Sequence, residues 1–429
     1  LNSAFGTAQI GYKDMLYLDV TGRNDWSSTL SFTPNGSYFY PSVGLTAIVN
    51  EMTKLPEMIN LLKVRGSYSI VGNDVPAYIT NPLHSFSNGS VSFNTTVPFT
   101  DMKPEKLKSM EFGFDLSMFN NRLDMDFTWY KTNNTNQYFS MSVPSATGYS
   151  SYYFNAGNIQ NKGFESTISW SQPLAENLTW KTGFNFSYND NLIKKLDNRA
   201  GINESERLKY VQIGSMTGYD MRLYEGGAYG DLYAKNFKRD ADGAIVVNEK
   251  GIPQYQDEKV KVGNVNSKWN VGWNNTFTYK DYQLYFLIDG RIGGQFFDAT
   301  QGVLDSYGVS QASADARDNG GFDLGNGKKV DAETFYQVVG QKSNGGDLYI
   351  YKATNFRLRE ISLGYTLRNL FGPSKNLTVN LVGRNLFFFY KDAPTDPDVF
   401  MSTSNGYAGS NFFALPSTRT YGFNLKATF

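Results

Sequence analysis

From Tyr421 to the last residue every second position is apolar: Tyr421, Phe423, Leu425, Ala427 and Phe429, with Gly422, Asn424, Lys426 and Thr428 between them. Side chains of a strand point alternately to its two faces, so this stretch predicts a strand with one apolar and one wet face. An edge strand of a large soluble sheet would read the same way, and the rest of the chain decides between the two. Alternating segments of about ten residues recur throughout, the length a tilted strand needs to cross a bilayer. They are Asn2–Tyr12, Met15–Ser27, Tyr38–Asn50, Leu61–Val71, Lys108–Phe119, Leu123–Tyr130, Lys162–Trp170, Leu178–Tyr188 and Trp269–Tyr279. Four more run through Leu284, Phe286 and Ile288, through Ile361, Leu363, Tyr365 and Leu367, through Leu377, Val379 and Leu381, and through the closing stretch. Lys108–Phe119 is the cleanest, with Met110, Phe112, Phe114, Leu116 and Met118 set against Glu111, Gly113, Asp115 and Ser117.

The connections alternate too. Short ones fall at Lys13-Asp14, 51–60, Phe119–Arg122, 171–177, Lys280-Asp281 and 368–376; long ones fall at 28–37, 72–107, 131–161, 189–268, 294–355 and 389–417. Short turns on one side and long loops on the other are the pattern of an outer-membrane barrel, the short side being periplasmic, and a soluble sandwich has no reason to sort its loops so. The expected fold is therefore all-β, a transmembrane antiparallel β-barrel, with 1–429 as one barrel domain whose extracellular loops lie near 72–107, 131–161, 189–268, 294–355 and 389–417. The count is thirteen. A bacterial single-chain barrel normally has an even number of strands with both ends periplasmic, so these strands are expected to be the later part of a larger barrel.

Composition narrows this further. Of 429 residues 16 % are aromatic and only 40 % hydrophobic, and no apolar run approaches the roughly 18 residues of a spanning helix, which excludes a helical membrane protein. A barrel hides its hydrophobicity in alternation, so a polar average is compatible with spanning a membrane. Net charge is zero with no long basic stretch, so nucleic acid is not an expected partner. The absence of cysteine rules out a disulfide framework or a cysteine metal site. The opening LNSAFGTAQIGY has neither the basic start nor the apolar core of a secretory leader, so an outer-membrane protein with this start has lost its leader or begins mid-protein.

Candidate chemistry is sparse. The single histidine, His84, stands in a long loop without partners at a telling spacing, so neither a Ser-His-Asp site nor a histidine–metal site is expected. No phosphate-cradling GxxxxGK[ST] loop is present. Asp240, Asp242 and Gly243 look like the start of a calcium loop, but Ala244, Val246 and Val247 follow where oxygen ligands are needed, and the expected structure is a turn. No enzyme, cofactor or metal site is expected. The wall charges are more informative. With the apolar sets facing lipid, Asp19, Arg23, Lys63, Arg65, Glu111, Asp115, Asp124, Asp126, Glu165, Lys181, Asp289, Arg291, Glu360 and Arg384 face the lumen; on the lipid side at mid-membrane each would cost about 2–4 kcal/mol. Lys63 and Arg65 precede Glu111 and Asp115 on the next strand, which suggests cross-strand pairs that brace the wall or grip a plug. Arg357 and Arg359 break the sorting, sharing parity with Ile361, Leu363 and Tyr365. Either they sit at the outer rim and meet lipopolysaccharide phosphates, or a bulge turns them inward.

The wording of the strands carries a resemblance. GYKDMLYLDVTGRNDWSSTL, YFYPSVGL, LKVRGSYSIVGND, MKPEKLKSMEFGFDLSMFNNRLDMDFTWYK, NAGNIQNKGFE, ATNFRLREISLGYTL, LVGRNLFFFYKDAP and LPSTRTYGFNLKATF, in that order along the whole chain, resemble the SusC/RagA-type TonB-dependent outer-membrane transporters. That resemblance implies a barrel of twenty-two strands around a plug, a TonB-contacting segment, a SusD-like surface lipoprotein as lid, glycan or peptide cargo, and the outer membrane of a Gram-negative bacterium. The plug, the TonB-contacting segment and nine strands are absent from these residues. The resemblance also makes Gly422 and Phe429 part of a signal for the barrel-assembly machinery. Candidate substrate contacts, in lumen or loop, are Arg23, Asp25, Tyr152, Tyr153, Asn155, Asp289, Arg291 and Arg384. Tyr149, Phe154, Tyr219, Tyr224 and Tyr229 add aromatic platforms that suit sugars, peptides or a lid, and equally pack their own loops. The competing function is a passive porin or a surface-adhesion barrel without energy coupling; a hydrolase is disfavoured.

Overall fold

Strict alternation does build strands here, because tight turns are placed where the chain can reverse. In the computed structural model, Lys13 and Asp14 adopt φ of 49° and 56°, and Asn120 and Asn121 adopt 56° and 59°. That left-handed region suits Asn and Asp and gives a hairpin the twist its strands need. The structure describes all residues except 143–144, 198, 200–202, 217, 342–344, 371 and 403–406. Thirteen strands follow one another in chain order in a single antiparallel sheet. They are β1 (Asn2–Tyr12), β2 (Leu16–Trp26), β3 (Ser37–Ile48), β4 (Ile59–Asn73), β5 (Glu105–Met118), β6 (Leu123–Ser142), β7 (Ser151–Ala175), β8 (Leu178–Lys195), β9 (Trp269–Tyr279), β10 (Tyr282–Ile292), β11 (Asn355–Leu367), β12 (Asn376–Lys391) and β13 (Thr420–Thr428). A two-residue strand, Thr96–Val97, adds parallel to β7.

The expected count is met, and most boundaries fall close to expectation. The largest departure is at 131–161, expected as a long loop. Most of it continues the strands, β6 to Ser142 and β7 from Ser151. Polar residues such as Asn133, Asn134 and Gln160 occupy these extensions, so the apolar alternation that marks a membrane-crossing stretch is missing while the backbone ladder goes on. The segment at 189–268 carries a second sheet of four short strands, Val211–Met216, Tyr219–Leu223, Asp231–Ala234 and Val260–Asn264. The segment after β10 carries three helices, α1 (Ala299–Ser306), α2 (Gln311–Asp318) and α3 (Ala332–Gln341).

The chain forms two compact units: Leu1–Ser169 with Asn189–Lys209 and Tyr224–Gly226, and Trp170–Tyr188 with Tyr210–Leu223 and Gly227–Phe429. Within the first, register aligns one apolar face strand by strand. Val20 lies opposite Val43, Val43 opposite Tyr68, Tyr68 opposite Met110, and Val64 opposite Phe114, itself opposite Phe127. This face is bare: Phe112 is 53 % exposed and Leu45 48 %. An apolar sheet face of that extent left open to solvent marks a membrane-facing surface. In the second unit Phe184 stacks on Trp273 at 5.7 Å and Trp180 on Phe277 at 6.2 Å. Two polar residues stand on that apolar face: Thr182 Oγ1 accepts from the Trp273 indole N–H at 2.9 Å, and Asn275 Oδ1 from that of Trp180 at 2.9 Å. An indole donor has no partner in hydrocarbon unless the sheet supplies one.

In the same unit a buried core lies away from the wall, with Phe335, Val339, Tyr349 and Phe297 fully enclosed and Phe322 stacked on Phe335 at 3.7 Å. Helices α1 and α3 cross at Gly302 and Gly340, where a Cβ on Gly340 would come within 2.2 Å of the Gly302 carbonyl oxygen. Only glycine permits that approach.

The face assignment predicts an asymmetry. In the complete protein folded into lipid vesicles, Phe112→Lys is expected to lower the unfolding free energy by about 2–4 kcal/mol, while Ser67→Lys, on the opposite face beside Glu111, stays near neutral. Equal penalties in urea unfolding would reject the assignment.

Candidate functional site

The polar face of the wall is a set of ion-pair networks, and the register fixes who meets whom. Lys63 stands directly opposite Asp115, and Asp115 opposite Asp126. Lys63 and Arg65 both pair with Asp115, while Arg65 Nη2 reaches Asp126 at 2.8 Å and Thr128 Oγ1 at 2.6 Å. Arg65 can cross the intervening strand because residue 113 is glycine; a Cβ there would lie 2.9 Å from Arg65 Nε. The expected pairing thus forms for Lys63, Arg65 and Asp115. It does not form for Glu111: the register sets it opposite Ser67, two positions beyond Arg65, and its carboxylate accepts from Ser109 Oγ at 3.0 Å instead.

Arg23 and Asp25 form a second network, in which the Arg23 Nε–Asp25 Oδ1 distance is 2.7 Å, Arg23 also donates to Ser3 Oγ at 2.9 Å, and the Tyr40 hydroxyl donates to Asp25. Asp25 is 4 % exposed, so of the two it is Arg23 that stays open to a ligand.

The densest cluster surrounds Arg357. Ladder irregularities between Leu358 and Glu360 against β12, and between Leu287 and Ile288 against β10, mark a bulge at Arg359. Leu358 lies opposite Ile288 while Leu363 lies opposite Leu284, so one extra residue switches which parity is apolar. Arg357 is placed opposite Asp289, on the charged face. The lipopolysaccharide-facing rim position is therefore corrected in favour of the bulge. Arg357, 3 % exposed, donates to Asp289 at 3.2 Å and Asp396 at 3.2 Å, and pairs with Asp398. Arg359 Nε binds Asp289 Oδ2 at 2.7 Å, and its Nη1 donates to Asn385 Oδ1 at 3.0 Å. Arg291 lies 3.3 Å from Asp398. Asp289 and Arg291 thus join one network, whereas Arg384 pairs separately with Glu360 at 2.7 Å.

The loop candidates are less available than the sequence suggests. Asn155 is a clamp: its amide accepts from Lys103 N at 2.7 Å and donates to the carbonyls of Lys103 and Asn136 at 2.9 and 2.8 Å. Tyr153 packs edge-on against Tyr138 at 6.2 Å. The Tyr152 hydroxyl accepts from Arg199 Nη1 at 2.7 Å, and Arg199 makes a two-pronged pair with Asp197 at 2.9 and 2.7 Å. Burial opposes the charge on Asp197, but Arg199 and the amides of Leu208 and Arg199 outweigh it and hold the carboxyl at about 2. His84 Nδ1 accepts from Asn94 N at 3.0 Å, and Asp240 accepts from the amides of Asp242 and Ala244 at 3.1 and 2.9 Å, a turn as expected. Gly422 and Phe429 lie exposed at the last strand, Phe429 at 85 %. Sequence reading missed Asp396, Asp398, Asp197 and Arg199. They occupy segments without periodicity, and the only clue, for Asp396 and Asp398, was two arginines of the wrong parity in want of counter-charges.

Two outcomes follow. Arg357→Ala leaves Asp396 without its ion pair, while Asp289 and Asp398 keep Arg359 and Arg291, and is expected to cost about 3–5 kcal/mol in urea unfolding of the complete protein and to speed proteolysis near 392–400. Arg357→Lys recovers only part, since one ammonium cannot serve three partners as a planar fork does; full recovery would contradict the network. For Asp197 the lowered value means its contribution is present above the ordinary carboxyl value of 3.8 and lost as pH falls toward about 2,. Protection of the Leu208 amide against hydrogen exchange, relative to its intrinsic rate at each pH, should fall about tenfold or more over that window and do so at neutral pH in Asp197→Asn.

Comparison with known proteins agrees with this architecture. Residues 2–256 match the family model of the TonB dependent receptor-like β-barrel. The TonB-dependent receptor P3 of Formosa agariphila is 28 % identical, covering 99 % of this chain and 45 % of its own length. The TonB-dependent receptor SusC of Bacteroides thetaiotaomicron is 23 % identical over 93 % of this chain and 41 % of its own length. Among solved structures, the RagAB peptide importer in its open-open state superposes with a TM-score of 0.78 at 20 % identity, covering all of this chain and 46 % of that one, a likeness of fold. The chain therefore spans under half the length of the relatives it matches. Relatives of this kind are integral β-barrels of the Gram-negative outer membrane, which locates this chain there too. With the family model covering more than half of its residues, the chain belongs to the TonB-dependent receptor-like β-barrel family.

Proposed function

We propose that the complete protein is a SusC-like importer that takes up oligosaccharides or peptides across the outer membrane with a SusD-like lipoprotein as lid, and draws energy from TonB through a segment beyond these residues. The observation that carries this reading is the pairing of faces: an apolar, open face and, on the opposite side of the same strands, a continuous run of fixed charge. Charges braced as Lys63, Arg65, Asp115 and Asp126 are suit a wetted wall that holds a plug or passes polar cargo. Arg23, at 43 % side-chain exposure, and Arg384, at 61 %, are open enough to touch substrate. Both outer strands of the sheet, β1 and β13, are exposed along their whole length. In the complete protein we expect them to be covered by further strands, since an unpaired edge has no place in lipid.

The mechanism is binding followed by gated passage, without covalent chemistry; the named relatives are receptors rather than enzymes. A passive porin or adhesive barrel is the weaker reading, because the family assignment ties this wall to energised receptors. We also propose that Gly422 and Phe429 serve barrel assembly: the complete protein lacking Phe429 should reach the outer membrane at reduced level, and normal insertion would refute that role.

Uptake decides the main proposal. Cells expressing the complete protein with its lipoprotein should internalise a labelled oligosaccharide or peptide from a test panel. That uptake should fall to background when TonB is deleted. Uptake that persists without TonB would establish the passive reading instead.

A further inference from the structure

The helical segment after β10 encloses a cavity of about 570 Å³ where the end of α1, the body of α2 and the first turns of α3 meet. That size falls within the roughly 300–1,000 Å³ typical of ligand pockets and exceeds the needs of one side chain. Its lining is unbalanced in charge: Asp305, Asp331 and Glu333 face one guanidinium, Arg317, whose Nε lies 3.7 Å from Asp318. Asp305 is 4 % exposed. It accepts from Gln301 Nε2 at 2.7 Å and from the Ser310 hydroxyl, both neutral donors. Among the described residues no lysine or arginine pairs with Asp305, Asp331 or Glu333. A buried carboxylate with only neutral partners is costly, and burial pushes Asp305 upward from the ordinary carboxyl range,.

The other two carboxylates are held in place. Asp331 caps α3, accepting from Thr334 N and Oγ1, each at 2.8 Å, and Glu333 Oε1 accepts from Gln337 Nε2 at 2.9 Å. Two tyrosines complete the lining. Tyr336 is 6 % exposed and edge-packed on Phe335 and Phe322, whereas Tyr307 is 74 % exposed. Rigid carboxylates beside aromatic rings suit a ligand with a cationic head on an aliphatic stem.

We propose that this cavity binds a cationic peptide segment, with a lysine or arginine head among Asp305, Asp331 and Glu333 and its stem against Tyr307 and Tyr336. A neutral sugar would leave the acidic excess unanswered, and a phosphorylated or acidic one would be repelled by it. This deepens the import reading by naming a substrate class and rests on that reading only for what the binding serves.

The test is calorimetric titration of the purified complete protein with a capped peptide carrying two lysines, its glutamate counterpart, and a neutral linear oligosaccharide of similar size. The lysine peptide should bind alone among the three, more weakly as salt rises. Glu333→Gln, an exposed position where the amide keeps its contact to Gln337, should lower its affinity about tenfold, and Asp305→Asn at least as much. Equal binding of the glutamate peptide or of the oligosaccharide would overturn the proposal. So would no binding of the lysine peptide, or lysine-peptide binding unchanged in both variants. Because the readout is binding, loss of TonB-dependent uptake with intact, variant-sensitive binding would count against the import reading alone.

Discussion

A strand in a bilayer has two obligations: its backbone groups must be bonded within the sheet, and its charges must leave the lipid-facing side. Because side chains alternate with a period of two, one residue of slippage would carry a strand's charged set into hydrocarbon. Everything else in this sheet is arranged around that constraint. Val20, Val43, Tyr68 and Met110 succeed one another across four strands without a break in parity, and Lys63, Asp115 and Asp126 do so on the other side. The exceptions conform to the same rule. Thr182 and Asn275 stand on the apolar face because two indole donors need acceptors there.

The bulge at Arg359 is where the constraint is met by changing the backbone. Without it Arg357 would share a face with Ile361 and Leu363. With it, Arg357 points at Asp289 and draws Asp396 and Asp398 onto the wall. The segment after β12 is thereby tied to β10 and β11 by buried charge. Asp289 and Asp398 are each shared between arginines while, among the described residues, Asp396 rests on Arg357 alone, which makes the cluster a stiff joint at the long-loop end of these strands.

The fold was legible because alternation is a local property. Thirteen strands and the Lys13-Asp14 and Asn120-Asn121 turns could be read from period and turn residues alone. Strand extensions such as 131–137 could not, since their residues are polar on both sides and only pairing with a neighbour makes them strands. The wall charges were legible by parity, and the Lys63–Asp115 pair by order along the chain. Glu111 was misjudged because order does not give register. Asn155 was expected as a substrate contact; its amide is bonded to the backbone of Lys103 and Asn136, partners that the residue type alone does not announce. The helical cavity had no sequence signal: its carboxylates come from α1 and the start of α3, which meet at the glycine crossing of Gly302 and Gly340.

The central claim is that one face of these strands meets lipid and the other water. The chain contains no cysteine, so single cysteines can be placed at positions 110–112 and 114–117 of β5 in the complete protein, leaving Gly113 unchanged, where a Cβ would meet Arg65. Each variant would be treated in native membranes with a membrane-impermeant thiol reagent and with a lipid-soluble one. The account predicts reaction with the lipid-soluble reagent at positions 110, 112, 114 and 116, and with the aqueous reagent at 111, 115 and 117. Aqueous labelling at every position would contradict it.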